Sequence, residues 1–194
     1  MKNPRPAVKN PKKLKGKNLL LILSGSIAAY KSGDVIKELR EAGAKVTCVL
    51  TKGAQEFVTP LTLRAVSGQP VYGEFFAADT PYDVIHTSLA EESDAVLIAP
   101  ASANFIARLA AGMADDLASC IVLATRKPVI VVPAMNDQMY YHTLTQKNLA
   151  TLREVGYEIV DPIQGDLVCG RTAMGHISDT KAILEVVARC AGKK

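Results

Sequence analysis

Four short stretches of small or polar residues each follow an apolar run. They are Ser24-Gly25-Ser26 after NLLLIL, Thr51 after AKVTCVL, Ser102-Ala103-Asn104 after Ala95–Ala99 and Pro100, and Ala134-Met135-Asn136 after Val129–Val132 and Pro133. Apolar runs of this length fit buried parallel strands. Helical spacing follows the third stretch, at Ile106, Leu109, Ala110 and Met113. A strand–turn–helix junction exposes backbone N–H groups that favour an anionic group. Ser102 and Asn104 add hydrogen-bonding side chains there, while Ala101 and Ala103 admit a flat ring or a phosphate. Taken singly, Ser102-Ala103-Asn104 and Asn136 are ordinary N-caps, and Met135 and Met139 are ordinary core methionines. Taken together, on the carboxyl edge of one sheet, they make a ligand site. The stretches contain no carboxylate and no GK[ST] loop, which argues against a nucleoside triphosphate with Mg²⁺. The turn SGSIAA is not the GxGxxG fingerprint of a dinucleotide fold. A phosphate-bearing ring compound fits better.

Other reactive side chains are scattered. His86 follows Val84-Ile85, and a lone histidine is more often structural than a base. Cys169 lies in the glycine-rich stretch QGDLVCGRTAMGHI, where a thiol can act as an acid or a thiolate if its surroundings permit. Cys48 sits mid-strand and reads as core. His142 and His176 read as surface residues. The histidines and cysteines show no metal-ligand spacing, and four cysteines in a chain this long do not make a disulfide framework.

The elements that would position these residues alternate strand and helix. Asn18–Leu23 and Ala44–Leu50 read as strands flanking a helix that ends near Ala42. Lys52–Ser67 reads as two helical pieces broken at Pro60, and Gly68–Tyr82 as irregular. Ala95–Ala99 is a strand closed by Pro100. Asp115–Ala124 reads as a helix, Val129–Val132 as a strand, 145–155 as a helix, Tyr157–Val160 as a strand and Asp179–Cys190 as a closing helix. Gln164–Ile177 reads as a long loop of the kind that forms lids. This pattern predicts an α/β fold: a three-layer, doubly wound, Rossmann-like or flavodoxin-like domain with five or six parallel strands.

The chain has 194 residues, 48% apolar and 22% charged, enough for one domain with a substantial core. Its net charge of +4 is concentrated in one place. Residues 1–17 hold seven of the 23 basic side chains and no acid, which leaves 16 basic against 19 acidic, a net of −3, for the body. Residues 1–17 therefore read as a flexible basic arm, and 18–194 as the folded domain. The arm carries no aromatic residues to stack on bases, so nucleic-acid binding is not expected. Leu19–Leu23 is too short for a membrane span or a signal core. The expected setting is the cytoplasm.

Together the motifs Gly25–Lys31, His86, Pro100–Asn104, Pro133–Asn136 with Met139, and Leu167-Val168-Cys169-Gly170 resemble the homo-oligomeric flavin-containing cysteine decarboxylases. The resemblance covers residues 17–191 and is strongest to the branch acting on 4′-phospho-N-pantothenoylcysteine, which includes the N-terminal half of the bacterial bifunctional enzymes of coenzyme A biosynthesis. It implies FMN as cofactor, with its phosphate near Ser26 and Ser102–Asn104. The ring would lie near Thr51, Phe57, Ala134 and Met135, and Gly25 and Ile27 also bind the cofactor. It implies a homotrimer, or a dodecamer of trimers, with the site at a subunit interface, and a phosphopantothenate–cysteine ligase as a fused or separate partner. In this likeness His86 helps to deprotonate the substrate thiol, Asn136 holds the substrate carboxylate and Cys169 donates a proton. Leu167, Gly170 and Met139 contact the substrate. The implied route is thiol oxidation by FMN, loss of CO2 from the thioaldehyde, and reduction of the enethiol. The chain departs from the family at Phe105, at Tyr140 and across Arg171–His176. Related activities under the same resemblance are a flavin prenyltransferase, a peptidyl-cysteine decarboxylase and a non-catalytic regulator.

Overall fold

The apolar run Asn18–Leu23 forms strand β1 at the centre of the sheet, and Leu19 to Leu23 are buried. A strand covered on both faces needs an unbroken apolar run. Leu19, Leu21 and Leu23 face one core, and Leu20 and Ile22 face the other. The computed structural model of the chain describes residues 13–75, 84–166, 170 and 172–192.

The other strands are β2 (Lys45–Leu50), β3 (Val71–Tyr72), β4 (Ala95–Ala101), β5 (Val129–Pro133) and β6 (Glu158–Ile159). All pair in parallel, in the order β3-β2-β1-β4-β5-β6. This is the doubly wound order, and the strand sequence reverses between β1 and β4. A 3₁₀ turn (Ile27–Lys31) leads into α1 (Ser32–Glu41). Then come α2 (Lys52–Gln55), α3 (Pro60–Ser67), α4 (Ile85–Glu92), α5 (Ala103–Ala110), α6 (Leu117–Ala124), α7 (Asp137–Tyr141), α8 (Thr143–Glu154) and α9 (Thr180–Ala191). Helices α1, α3 and α9 cover one face of the sheet, and α4, α5, α6 and α8 the other. Among the described residues no helix is long and apolar enough to cross a membrane.

Several details differ from the sequence reading. Pro100 does not end its strand: β4 runs on to Ala101. The pairing with β5 is irregular between Ile98 and Ala101, so the missing N–H of proline breaks no regular ladder. The Pro100 carbonyl accepts from the Ser24 amide at 3.1 Å. Gln164–Ile177 is not simply a loop. It contains an antiparallel hairpin, β7 (Ile163–Asp166) and β8 (Thr172–His176). Residues 13–17 do not belong to a free arm. Leu14 is buried in the core beside α1 and α9, its amide donates to Ala42 at 3.0 Å, and Lys45 donates to the Lys17 carbonyl at 2.8 Å. One leucine among lysines thus docks a segment that composition alone assigns to solvent. Residues 1–12 lie outside the described residues.

Candidate active site

The carboxyl edge of the sheet opens into a cleft of about 560 Å³ at the reversal point, a size suited to a cofactor. Five of its lining residues are N-caps. Ser26 caps the 3₁₀ turn, Thr51 caps α2, Ser102 caps α5, Asp116 caps α6 and Asn136 caps α7. Each side-chain oxygen accepts an amide of its own first turn, as with Ser102 from Phe105 at 3.3 Å and Asn136 from Gln138 at 2.9 Å. The N-cap reading of these residues therefore holds, and capping does not compete with a ligand. A cap satisfies one of the unpaired N–H groups of a helix start, and others remain to face a ligand.

Ser24 holds the two halves of the cleft together. It is buried, its hydroxyl donates to the Pro100 carbonyl at 2.8 Å, and the same oxygen accepts the Ser102 amide at 2.7 Å. On the next turn Ser26 donates to the Ala134 carbonyl at 3.0 Å. The turns after β1, β4 and β5 are thereby fixed relative to one another. Between β1 and β2 the floor is bare backbone. A Cβ on Gly25 would come within 3.2 Å of Gly53 backbone atoms, so glycine allows the two turns to meet.

The cleft collects Gly25, Ser26, Ile27, Thr51, Phe57, Ser102, Ala103, Asn104, Ala134, Met135, Asn136 and Met139, all expected from the sequence. It also takes in Lys52, Gly53 and Arg108, which sequence reasoning missed. The signal for Arg108 was its spacing, four residues after Asn104 and so on the same helix face. The Arg108 guanidinium pairs with Asp115 and Asp116, the latter at 3.0 Å. Burial works against its charge, but the two carboxylates outweigh that and raise its pKa. Asp116 is thus neutralised within the cleft wall. Phe105, at a position of departure, is buried in the core with Arg108 over its ring at 5.6 Å. Tyr140, another departure, is buried and donates to Asp161 at 3.3 Å.

Some expected site residues lie elsewhere. His86 is on the first turn of α4, outside the lining of this cleft, with its ring 5.4 Å from that of Phe75. Its Nδ1 is buried without a hydrogen-bond partner among the described residues. Gly170 has φ of 80°, while Leu167, Cys169 and Arg171 lie outside the described residues. Cys48 is core, and burial pushes its thiol up to about 12. His142 and His176 are not idle surface residues. His142 caps α8, accepting from Leu144 at 3.2 Å. His176 Nε2 meets Lys31 Nζ at 2.7 Å.

A profile of the Flavoprotein family matches residues 7–192. The chain belongs to that family. It is 47% identical over 177 residues to the coenzyme A biosynthesis bifunctional protein CoaBC of Vibrio vulnificus, covering 91% of this chain and 43% of that protein. The chain therefore spans less than half the length of such bifunctional relatives. It is 39% identical to a probable phosphopantothenoylcysteine decarboxylase of Streptococcus mutans, over 88% of this chain and 97% of that one. Among solved structures, a PPC decarboxylase cysteine-to-serine mutant complexed with pantothenoylaminoethenethiol superposes with a TM-score of 0.81 at 31% identity, covering 91% and 99% of the two chains. The FMN-dependent cysteine decarboxylase SpaF gives 0.81 at 28% identity, covering 93% and 99%.

The cleft residues fit a flavin. The glycine floor and Ala103 leave space for a flat ring, Ile27, Phe57 and Met135 give the cleft an apolar wall, and the α5 N-terminus favours an anionic group.

Proposed function

We propose that this chain holds FMN in the switch-point cleft and decarboxylates 4′-phospho-N-pantothenoylcysteine to 4′-phosphopantetheine in coenzyme A biosynthesis. The observation that carries the reading is the convergence of the capping groups Ser26, Thr51, Ser102 and Asn136 with apolar Ile27, Phe57 and Met135 on one cleft. The near end-to-end match to the streptococcal decarboxylase supports the same reaction. The α5 start at Ser102–Asn104 suits the single phosphate of FMN.

What the bound flavin supplies is reversible two-electron chemistry at the substrate thiol, with no outside reductant consumed. The chain's residues bind, orient and move protons. Asn136, a neutral amide, is assigned the substrate carboxylate. A fixed cation there would stabilise the ground-state carboxylate and oppose loss of CO2. His86 is assigned deprotonation of the thiol, and Cys169 return of a proton to carbon. Leu167, Gly170 and the β7–β8 hairpin are assigned the clamp over the substrate, with Met139 at the mouth.

His86 lies outside the cleft of its own chain, which supports a site completed by a neighbouring copy in a homotrimer or a dodecamer of trimers. The bifunctional relatives support a phosphopantothenate–cysteine ligase as partner, fused or separate, and the cytoplasm as the setting.

The test is CO2 release from 4′-phospho-N-pantothenoylcysteine by protein whose bound flavin has been extracted and identified. FMN and stoichiometric phosphopantetheine are expected; a protein that takes up no FMN, or releases no CO2, overturns the reading. Asn136→Asp should lose substrate binding through repulsion of two carboxylates. His86→Asn should stop before CO2 release. Cys169→Ser should release CO2 without forming phosphopantetheine, because a hydroxyl is a far weaker acid than a thiol.

A further inference from the structure

Beside the flavin cleft lies a smaller chamber of about 200 Å³ that shares Ser26, Ile27, Met135 and Asn136 with it. Its outer walls are the 3₁₀ turn and the β7–β8 hairpin, which bring Lys31 and His176 together across 145 residues of sequence. His176 Nδ1 lies 2.9 Å from the Ile177 carbonyl. A carbonyl only accepts, so Nδ1 carries the proton and Nε2 accepts from the Lys31 ammonium at 2.7 Å. The lysine is thus oriented by a neutral ring, and its charge is not cancelled. Lys31 makes no ion pair with a carboxylate among the described residues. The chamber's carboxylate, Asp166, is exposed and accepts from the Thr172 hydroxyl across the hairpin at 2.6 Å.

Both sides of the chamber are fixed. Gly165 lies under the His176 ring, where a Cβ would come within 2.8 Å of it. The Met135 amide donates to the Gly175 carbonyl at 3.0 Å. The result is a positioned cation in the wall of a small chamber that also takes in Asn136.

We propose that Lys31, held by His176, binds the phosphate of the substrate, the anionic end remote from the cysteine. The inference rests on the decarboxylase reading above. The substrate is anionic at both ends, and the two ends need different partners. The carboxylate loses its charge on the way to CO2, so it suits the neutral Asn136. The phosphate keeps its charge throughout, so a cation there binds ground state and transition state equally and acts as a selector for phosphorylated substrate. Lys31 belongs to the Gly25–Lys31 motif, whereas His176 falls in the segment where this chain departs from the family.

The test is calorimetric binding of 4′-phosphopantetheine and of pantetheine to the flavin-loaded protein, each variant first checked for its flavin content. The parent is expected to prefer the phosphorylated compound by about tenfold or more, the scale of a charge-assisted hydrogen bond. Lys31→Gln should bring the ratio close to one by weakening phosphopantetheine alone, and Lys31→Arg should restore most of it. His176→Leu should lower the ratio without changing pantetheine affinity, as a positioning role requires. In steady state the Lys31→Gln loss should fall on KM more than on kcat. A Lys31→Gln protein with the parent's ratio, or a parent with no preference, overturns the proposal. Binding needs no turnover, so the two readings fail separately. A parent that discriminates but releases no CO2 keeps the phosphate subsite and loses the decarboxylase. One that releases CO2 without discriminating does the reverse.

Discussion

Gly175 and Met135 are in backbone contact: the Met135 amide donates to the Gly175 carbonyl at 3.0 Å, and a Cβ on Gly175 would overlap the Met135 carbonyl oxygen. Gly175 also has φ of 123°, a region only glycine occupies readily. The hairpin is thereby fastened to the turn that carries Asn136. Gly175→Ala should lower unfolding free energy by more than about 1 kcal/mol and weaken substrate binding more than flavin binding. Urea denaturation and flavin retention measured on the same preparation check both. A variant as stable as the parent would show that the contact yields.

Ser24→Ala should be costly for a residue with one hydroxyl. The Pro100 carbonyl keeps the Ser24 amide as a donor, but the Ser102 amide loses its acceptor. The bond is part-buried, so the loss should be about 1 kcal/mol, the low end of the cost of an orphaned N–H. Because Ser102 starts α5, flavin affinity should fall as well. Equilibrium unfolding with flavin titration measures both, and a loss of stability with flavin affinity intact would uncouple Ser24 from the cleft.

Gly25→Ala should act on the cleft more than on the core. The new Cβ would press within 3.2 Å of Gly53 backbone, where no flexible side chain can give way. Purified protein should retain less flavin than the parent while its melting temperature without flavin changes little. Full flavin occupancy would show that the two turns can part.

Asp94 predicts a pH dependence. Burial raises its pKa, but the Asn18 amide at 2.8 Å and the Lys17 ammonium at 3.2 Å outweigh that and lower it. The folded-state pKa is therefore below the unfolded value. Its stabilisation is fully present above the ordinary carboxylate range, about 3.9, and is lost as pH falls through the depressed folded value. Asp94→Asn should be less stable than the parent by a constant amount from about pH 5 to 8, with the gap closing below about pH 4. Urea midpoints across that range decide it; a gap that persists at low pH would assign the effect to packing.

The position of His86 outside its own cleft makes a mixing experiment informative. His86→Asn and Asn136→Asp proteins, each inactive, should regain activity when unfolded and refolded together. In the proposed cyclic trimer, random assembly would pair two intact residues at about a quarter of the interfaces. No recovery would mean that each chain supplies its whole site.

The sequence is most legible where local pattern and burial agree. Asn18–Leu23 is both the run expected and the strand found, because a central parallel strand needs an unbroken apolar stretch, here Leu19 to Leu23. The cleft residues are legible because each sits just past such a run. The hairpin is not: Gln164–Ile177 lacks alternation, and its pairing depends on Gly165 and Gly175 fitting against His176 and Met135. Leu14 is a single apolar residue among lysines, and only the fold shows the groove that receives it. The partners of His176 and His86 are likewise matters of tertiary placement, which no local spacing encodes.

Ser26, Thr51, Ser102, Asp116 and Asn136 each start a helix while lining the cleft, and this restricts how the site can drift. Side chains that begin a helix well come from a narrow set, chiefly Ser, Thr, Asn, Asp and Gly. Under the proposed function, a mutation at any of these positions is filtered twice, once for ligand and once for local folding. Exchanges within the set remain open, and most routes that would empty the cleft close first because the helix behind it frays. The same overlap makes Asn136→Asp a clean probe: aspartate caps as well as asparagine, so the helix survives while the cleft gains a charge.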